Sequence, residues 1–460
     1  MSNDTQERLL DKSIKINYSI IKNIHSNNLK QAATKYKDVL QQLESFVEMN
    51  REIYDKRTIF YGKVSQLQKL HKSIVGKLTN NETDGLVDQL NHQVLPLYED
   101  LKYYVRERHF HETYGINVFN KMFGSFKVQG LFEQIDHGVW HDVQHYWKGQ
   151  FGKFIDPMLH LAYHGVHGVS EPRLISQEMF NKVMLPYFNP LTFGNFYSDK
   201  NVYDMLITDE HHPDVVLKCV NRQYFDDVNK DLTPQEARDR LHQYEEDLII
   251  KDSKANDGKG VEKLRYLEGQ FELEGDVVDF DKLHETFGKD YTIQRMIRQH
   301  ALMAKPHPES VNTLRMVTLR WNHDIHYLLT YARFGSDGAI KDNGGEGGIC
   351  VGVRDDGSFL PYGVCNDASI VHEHPTSGVS FAGLDAIPHF DEFISFVKTL
   401  HRRILHHNYV SWDIAMGEDG NPIFIEMNFR GPVWKYQLAN EKPLFGEMTE
   451  EIIQEVQNQK

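Results

Sequence analysis

Cysteine is scarce in this chain. Only Cys219, Cys350 and Cys365 occur among 460 residues, and their spacing matches no metal-binding pattern. So few thiols exclude a disulfide scaffold and are what a reducing cytoplasm allows. Long apolar runs are lacking too: none approaches the ~18 residues that cross a bilayer, so no transmembrane segment is expected. The opening stretch, MSNDTQERLL, does not have the charged-then-apolar layout of a secretion signal, and a cytoplasmic location is expected. An excess of positive charge is also missing. The formal net charge of -15 argues against general binding to nucleic acid or anionic membrane. What remains is the composition of a soluble globular protein, 40% hydrophobic and 25% charged. The length exceeds one ordinary core, so two or three domains are expected.

Residues 1–112 read as an all-helical arm. Ala32, Tyr36, Val39, Leu43, Phe46 and Val47 recur at helical spacing, as do Phe60, Val64, Leu67, Leu70, Ile74 and Leu78, and then Leu90, Val94, Leu97, Leu101 and Val105. The run Thr79–Gly85, TNNETDG, breaks the last two sets into a helical hairpin. The stripes are narrow, so the arm is expected to dock on the body or on a second copy of the chain. Residues 113–205 read as a further helical region rich in aromatics and histidine. His141/His145 and His160/His164 are four apart, which places each pair on one helix face. No third ligand accompanies either pair, and with 25 histidines in the chain such pairs arise by chance.

Residues 206–300 alternate helix and strand. Asp214–Val220 reads as a strand, Pro234–Tyr244 as a helix capped by Thr233, and Tyr291–Ile297 as a strand. Between them, LIIKDSKANDGKGVEKL carries Lys251 on a short strand, a small polar loop with Gly258, Lys259 and Gly260, and a returning strand. Such a loop lets backbone N–H groups approach phosphate oxygens while a lysine adds charge, or it is a surface hairpin. It is not a Walker A loop. In residues 301–460, Val311–Arg320 alternates and sets Arg315 on the face away from Leu314 and Met316. A mid-strand arginine is either exposed or paired, and its fork suits phosphate. The cluster NGGEGG (343–348) precedes a strand, which excludes a dinucleotide fingerprint. His389–His406 reads as an amphipathic helix.

The chain is organised around Val410–Phe429, VSWDIAMGEDGNPIFIEMNF, which reads as two strands joined by a turn at Gly417–Pro422. Folded symmetrically, Met416 faces Ile423, Ile414 faces Ile425 and Trp412 faces Met427 on an apolar side. The other side sets Ser411, Asp413 and Ala415 opposite Asn428, Glu426 and Phe424. Asp413 then lies across from Glu426, and two like charges so placed repel. A divalent cation would reconcile them, with Asn428 as a neutral oxygen, and an oxygen-only set suits magnesium. The alternative is a solvated polar face.

In order along the chain, these pieces resemble the ATP-grasp superfamily. Asp199-Lys200 looks like the family's first nucleotide lysine at a helix start, and Lys251 like its second, before the glycine loop. Gln294, Arg295, Met296 and Ile297 look like the hinge that meets adenine, with Gln294, Met296 and Ile297 assigned to the nucleotide. Asp413, Glu426 and Asn428 match the magnesium triad. The runs HALMAKPHPESVNTLRMVTL, GGEGGICVGV and EPRLISQEMFNKVMLPYFNP resemble the sugar-transfer-associated group, of the teichuronopeptide-biosynthesis type, over about residues 145–435. Asp252 departs from the frequent proline after the second lysine. Ser411 stands where some relatives carry a phosphate-binding arginine, and Arg315 could supply that charge.

The resemblance implies an α+β ATP-grasp fold, two α+β subdomains (206–300 and 301–460) clasping ATP behind the helical arm. It implies ATP and magnesium as cofactors, two ions, with manganese as a substitute. It implies a carboxylate–amine ligase that works through an acyl phosphate. Lys200, Lys251 and the Gly258–Gly260 loop would hold the phosphates, Lys259 and Arg315 would attend the transferred group, and Arg430 would face the acceptor. The narrower group suggests a sugar carboxylate joined to an amino acid or amine in surface polysaccharide or capsule synthesis. The partners are then a small-molecule or glycan carboxylate and an amine, with a homo-oligomer formed through the N-terminal helices. A kinase on the same scaffold and a non-catalytic nucleotide-binding scaffold are the rival classes.

Overall fold

A computed structural model of the chain describes residues 3–50, 59–208, 211–255, 260–336 and 348–458. The chain divides into two units: Met1–Gly124 with Ile155–Met158, and Ser125–Phe154 with Leu159–Lys460. No helix among the described residues is long and apolar enough to cross a membrane.

The first unit is helical, with Asn3–His25, Leu29–Met49, Ile59–Thr79 and Leu95–Tyr114 as its long helices. Apolar stripes bury Ala32, Tyr36, Val39 and Leu43 on one helix and Phe60, Val64, Leu67 and Ile74 on another. The phase of the second stripe differs from the sequence reading. Leu70 is half-buried, and His71 takes the inward position. Its ring sits between two tyrosines: Nδ1 bonds the Tyr36 hydroxyl and Nε2 meets the Tyr98 hydroxyl at 2.9 Å. A buried polar ring is tolerated there because both nitrogens are satisfied. Burial pushes the imidazole down to about 4, so it stays neutral.

The second unit carries two sheets, and among the described residues every strand pairing is antiparallel. The first sheet contains β1 (Val215–Val220), β2 (Gln223–Phe225), β3 (Asp231–Leu232) and β4 (Leu248–Asp252). It continues with β5 (Val261–Leu267), β6 (Gln270–Leu273), β7 (Asp276–Val277) and β8 (Tyr291–Arg295). The spatial order is β3-β2-β1-β8-β4-β5-β6-β7. Helices Pro234–Leu241 and Phe280–Phe287 pack Ala237, Leu241, Leu283 and Phe287 against Leu217, Ile250 and Ile293. Thr233 and Glu236 close a reciprocal capping box on the first of these helices.

The second sheet contains β9 (Thr313–Trp321), β10 (Asp324–Phe334), β11 (Ile349–Val353) and β12 (Phe359–Val364). It ends with β13 (Ile370–Val371), β14 (Tyr409–Met416) and β15 (Pro422–Asn428), in the order β13-β12-β11-β10-β9-β14-β15. Helix Phe390–Arg403 covers one face, where Phe393, Val397 and Leu400 meet Trp412, Ile414 and Met416. Helix Val433–Asn440 is buried along its whole length and crosses β11 closely. A Cβ on Gly352 would lie 2.0 Å from the Ala439 carbonyl oxygen, so only glycine fits that crossing.

The β14–β15 hairpin keeps the read register at Ser411–Asn428, Trp412–Met427 and Asp413–Glu426, then shifts by one residue to Ile414–Phe424, Ala415–Ile423 and Met416–Pro422. A bulge at Ile425 causes the shift, because one extra residue on β15 breaks the alternation. Phe424 therefore joins the core with Trp412 and Ile414, while Ile423 and Ile425 are half-buried outside it. The symmetric apolar face is corrected accordingly.

Candidate nucleotide and metal cleft

A cleft of ≈ 920 Å³ opens between the two sheets of the second unit. From the first sheet it is lined by Ile249, Lys251, Val261, Gln294 and Arg295, with Ile297 following. From the second it is lined by Thr313, Arg315, Tyr331, Arg333, Asp413, Glu426 and Asn428. Lys200, Arg430 and Lys435 complete its charged wall.

Local chemistry positions each lysine. Asp199 caps a short turn by accepting from the Asn201 amide, which starts Lys200 on a helical path. The Lys200 amide bonds the Ser253 carbonyl at 2.8 Å, and its Nζ reaches the Ala255 carbonyl at 2.6 Å. Lys251 is held on β4 between Val261 of β5 and Thr292 of β8. Its side chain makes no hydrogen bond or ion pair with the described residues. Burial, helped by the charge of Lys200 and opposed by Glu426, pushes its ammonium down to about 8. Gln294 is buried in the middle of the first sheet with Oε1 lacking a hydrogen-bond partner. Ile297 lines the cleft, but Met296 is exposed and is not among the lining residues. Gly260 has a left-handed backbone, φ +64°, and a Cβ there would sit 2.8 Å from that of Asp252. Gly258 and Lys259 lie outside the described residues, as do residues 343–347 of the second glycine cluster.

On the facing sheet Asp413 is the hub. Arg315 lies beside it in register on β9 and grips it bidentately, Nε on Oδ1 and Nη2 on Oδ2, the latter at 2.9 Å. Arg333 of β10 adds Nη1 to Oδ2 at 3.1 Å, and Asn428 Nδ2 approaches the same oxygen at 3.3 Å. The charge of Asp413 is thus met by two guanidinium groups. The Glu426 carboxyl is raised above its ordinary value, first by burial; Lys200 opposes the rise and Asp413 adds to it. Asp413, Glu426 and Asn428 line one cleft, and two carboxylates with an amide offer oxygen donors of the kind magnesium takes, although Arg315 and Arg333 bond both Asp413 oxygens. Among the described residues no three His, Cys, Asp or Glu cluster as a metal site, and the cleft holds two acids and an amide. His160 instead meets the Pro172 carbonyl at 3.2 Å.

Lys218 is structural, tied to Asp204 and to Asn229. Arg430 lines the cleft from an exposed position after β15. Three lining residues with Arg, Lys or His side chains escaped the sequence reading. Arg333 carries the same signal that drew attention to Arg315, an arginine within an apolar strand. Lys435 lies on a helix whose burial was not apparent. His407 is buried with both ring nitrogens unpartnered and its ring 4.1 Å from that of Phe429. Burial, with the charge of His406 adding, pushes it down to about 4.

No curated protein matches this chain. Among solved structures, the ATP-grasp ligase PsnB in complex with a minimal precursor is similar at 13% identity and a TM-score of 0.33. That match covers 58% of this chain and 63% of PsnB. The VanG D-Ala:D-Ser ligase from Enterococcus faecalis is similar at 12% identity and a TM-score of 0.34, over 56% of this chain and 61% of VanG. The purK N5-carboxyaminoimidazole ribonucleotide synthetase is similar at 9% identity and a TM-score of 0.30, over 59% of this chain and 52% of that enzyme. This chain therefore spans less than two thirds of the length of each. A family model described as a domain of unknown function matches residues 5–103. A second, described as sugar-transfer associated ATP-grasp, matches residues 180–454. That match takes in more than half of the chain, both sheets and the cleft between them, and the protein belongs to the sugar-transfer associated ATP-grasp family, with its ATP-grasp fold.

Proposed function

We propose that the protein is an ATP-dependent carboxylate–amine ligase that joins an amine or amino acid to a sugar carboxylate. One observation carries the reading. Seven basic side chains and two acidic ones line a single cleft, in a chain whose formal net charge is -15. Such a concentration of charge against the sign of the whole is what a site gathering several anions requires.

Lys200 and Lys251 neutralise the inner phosphates of ATP from the first sheet, while Gln294 and Ile297 border the base. Arg315 uses Nε and Nη2 on Asp413 and keeps Nη1 for the group in transfer. The fork is thereby fixed before substrate arrives, which is the kind of preorganisation that lowers a phosphoryl-transfer barrier. Asp413, Glu426 and Asn428 would hold magnesium, which supplies counter-charge to the phosphates when bound. The γ-phosphoryl group passes to the substrate carboxylate, and an amine then displaces phosphate from the mixed anhydride. Apolar walls such as Ile249 and Ile425 keep water from that anhydride. Residues 1–112 serve as a docking arm outside this chemistry.

The test is product analysis with ATP, magnesium and a panel of uronic acids crossed with amino acids. A ligase releases ADP and free phosphate only when both co-substrates are present. Phosphate retained on the sugar would make the protein a kinase, and absence of magnesium-dependent ATP binding by calorimetry would remove both readings.

A further inference from the structure

We infer that Lys435 is the receptor for a second oxyanion on the substrate, set apart from the phosphates of ATP. The inference rests on the ligase reading and narrows its substrate class. Lys435 lies on helix Val433–Asn440, every residue of which is buried, and is itself only 3% exposed. It nevertheless stands among the residues that line the cleft. Its hydrogen bond goes to the Asn366 side-chain oxygen, a neutral acceptor, and its ring neighbour is Trp434 at 5.5 Å. No carboxylate among the described residues pairs with it.

A lysine in that position is anomalous. Buried ammonium groups are paired with an acid or are costly. A surface lysine relieves the cost by extending its head into water, but here the whole residue is buried and its head is bonded to Asn366. The acids of the cleft are engaged elsewhere. Asp413 is gripped by Arg315 and Arg333, and Glu426 answers to Lys200 and Lys251. Asp367, the next residue after Asn366, is exposed and held by Ser369, the main cause of its lowered carboxyl, and by Gln129; Lys435 adds only the smallest lowering and makes no ion pair with it. Exposed Arg430 lines the same cleft, so a second cation stands beyond the triad. The counter-charge missing at ion-pair distance is an oxyanion that arrives with the substrate. Carboxylate and phosphate share that chemistry, with Asn366 offering its amide N–H beside the ammonium.

The experiment uses the full-length protein saturated with AMPPNP and magnesium, so that Lys200 and Lys251 are already engaged. Inorganic phosphate and acetate are then titrated separately by calorimetry into wild type, Lys435→Met and Lys435→Arg. Wild type is expected to bind at least one of the two at a single site. Lys435→Met should weaken that binding at least tenfold and Lys435→Arg by no more than a few-fold, with AMPPNP affinity unchanged in both. The stronger of the two probes identifies the substrate group as phosphate or carboxylate. Equal binding by wild type and Lys435→Met, or binding of neither probe by wild type, overturns the inference. If Lys435→Met does not fold, Asn366→Leu tests the same site and should weaken the same probe. Failure of AMPPNP to bind is a separate result: it removes the nucleotide reading, and the comparison of wild type with Lys435→Met still reports on Lys435.

Discussion

Replacing Lys251 by Met should make the protein more stable and worse at binding ATP. The ammonium is held down to about 8 by burial, against an ordinary 10.5. At about 1.4 kcal/mol per tenfold in proton affinity, that difference is a cost of about 3 kcal/mol to the native state. Below pH 8 the folded and unfolded chains both carry the proton, and the cost is felt in full. Between about 8 and 10.5 only the unfolded chain carries it, so native stability rises with pH. Lys251→Met removes the cost and should gain roughly 1–3 kcal/mol at pH 7, less toward pH 10. The same change removes a cation from the phosphates and should weaken ATP by roughly 10- to 100-fold, the worth of one charge-assisted contact. Because ATP supplies the absent negative charge, its binding should draw a proton onto Lys251, at most about three-quarters of one at pH 8.5. Urea unfolding at pH 7, 9 and 10 measures the first effect, and calorimetry in buffers of different ionisation enthalpy measures the last. A variant no more stable than wild type at pH 7, with unchanged proton uptake on binding ATP, would refute the reasoning.

Three further outcomes are expected. Glu426→Ala should abolish magnesium-dependent turnover while thermal stability holds or rises, since burial already disfavours that carboxylate; turnover that persists removes the metal assignment. Gly352→Ala should cost about 3 kcal/mol or more in chemical unfolding, because its new methyl meets the Ala439 carbonyl of a buried helix and neither backbone can withdraw. His71→Leu should cost roughly 2–4 kcal/mol at pH 7, since the Tyr36 and Tyr98 hydroxyls lose their shared partner. In wild type the imidazole is neutral when folded, titrating near 4 against an ordinary 6.5. Its contribution is therefore present above pH 6.5 and lost as pH falls toward 4. Helical circular dichroism across that range should show a shallower acid loss in His71→Leu.

Where local rules decide, the sequence was readable. The Thr233 cap and the break before Leu86 follow from neighbours within a few residues, and the crossing of Asp413 with Glu426 from a single hairpin turn. Where distant segments meet, it was not. Nothing near Lys435 in the chain reveals that its helix is buried on all sides, because the covering atoms come from β10, β11 and β12. Arg333 joins Asp413 across 80 residues, a contact that no spacing encodes. The exchange of Leu70 for His71 has another cause. A helical stripe wide enough to contain both leaves the phase to be settled by the tyrosines opposite.

The extra residue at Ile425 has a larger effect than its size suggests. On an unbroken strand, Phe424 and Glu426 would project the same way, so a greasy interior and a charged mouth would compete for one set of positions. The irregularity separates the two demands, letting selection alter the packing of Phe424 without moving Glu426. Deleting Ile425 would make Phe424 and Glu426 neighbours on a regular ladder, where the period of two still sends the ring and the acid to opposite faces. A one-residue gap here is therefore a milder lesion than one elsewhere on the strand, where it would turn every residue beyond it to the wrong face.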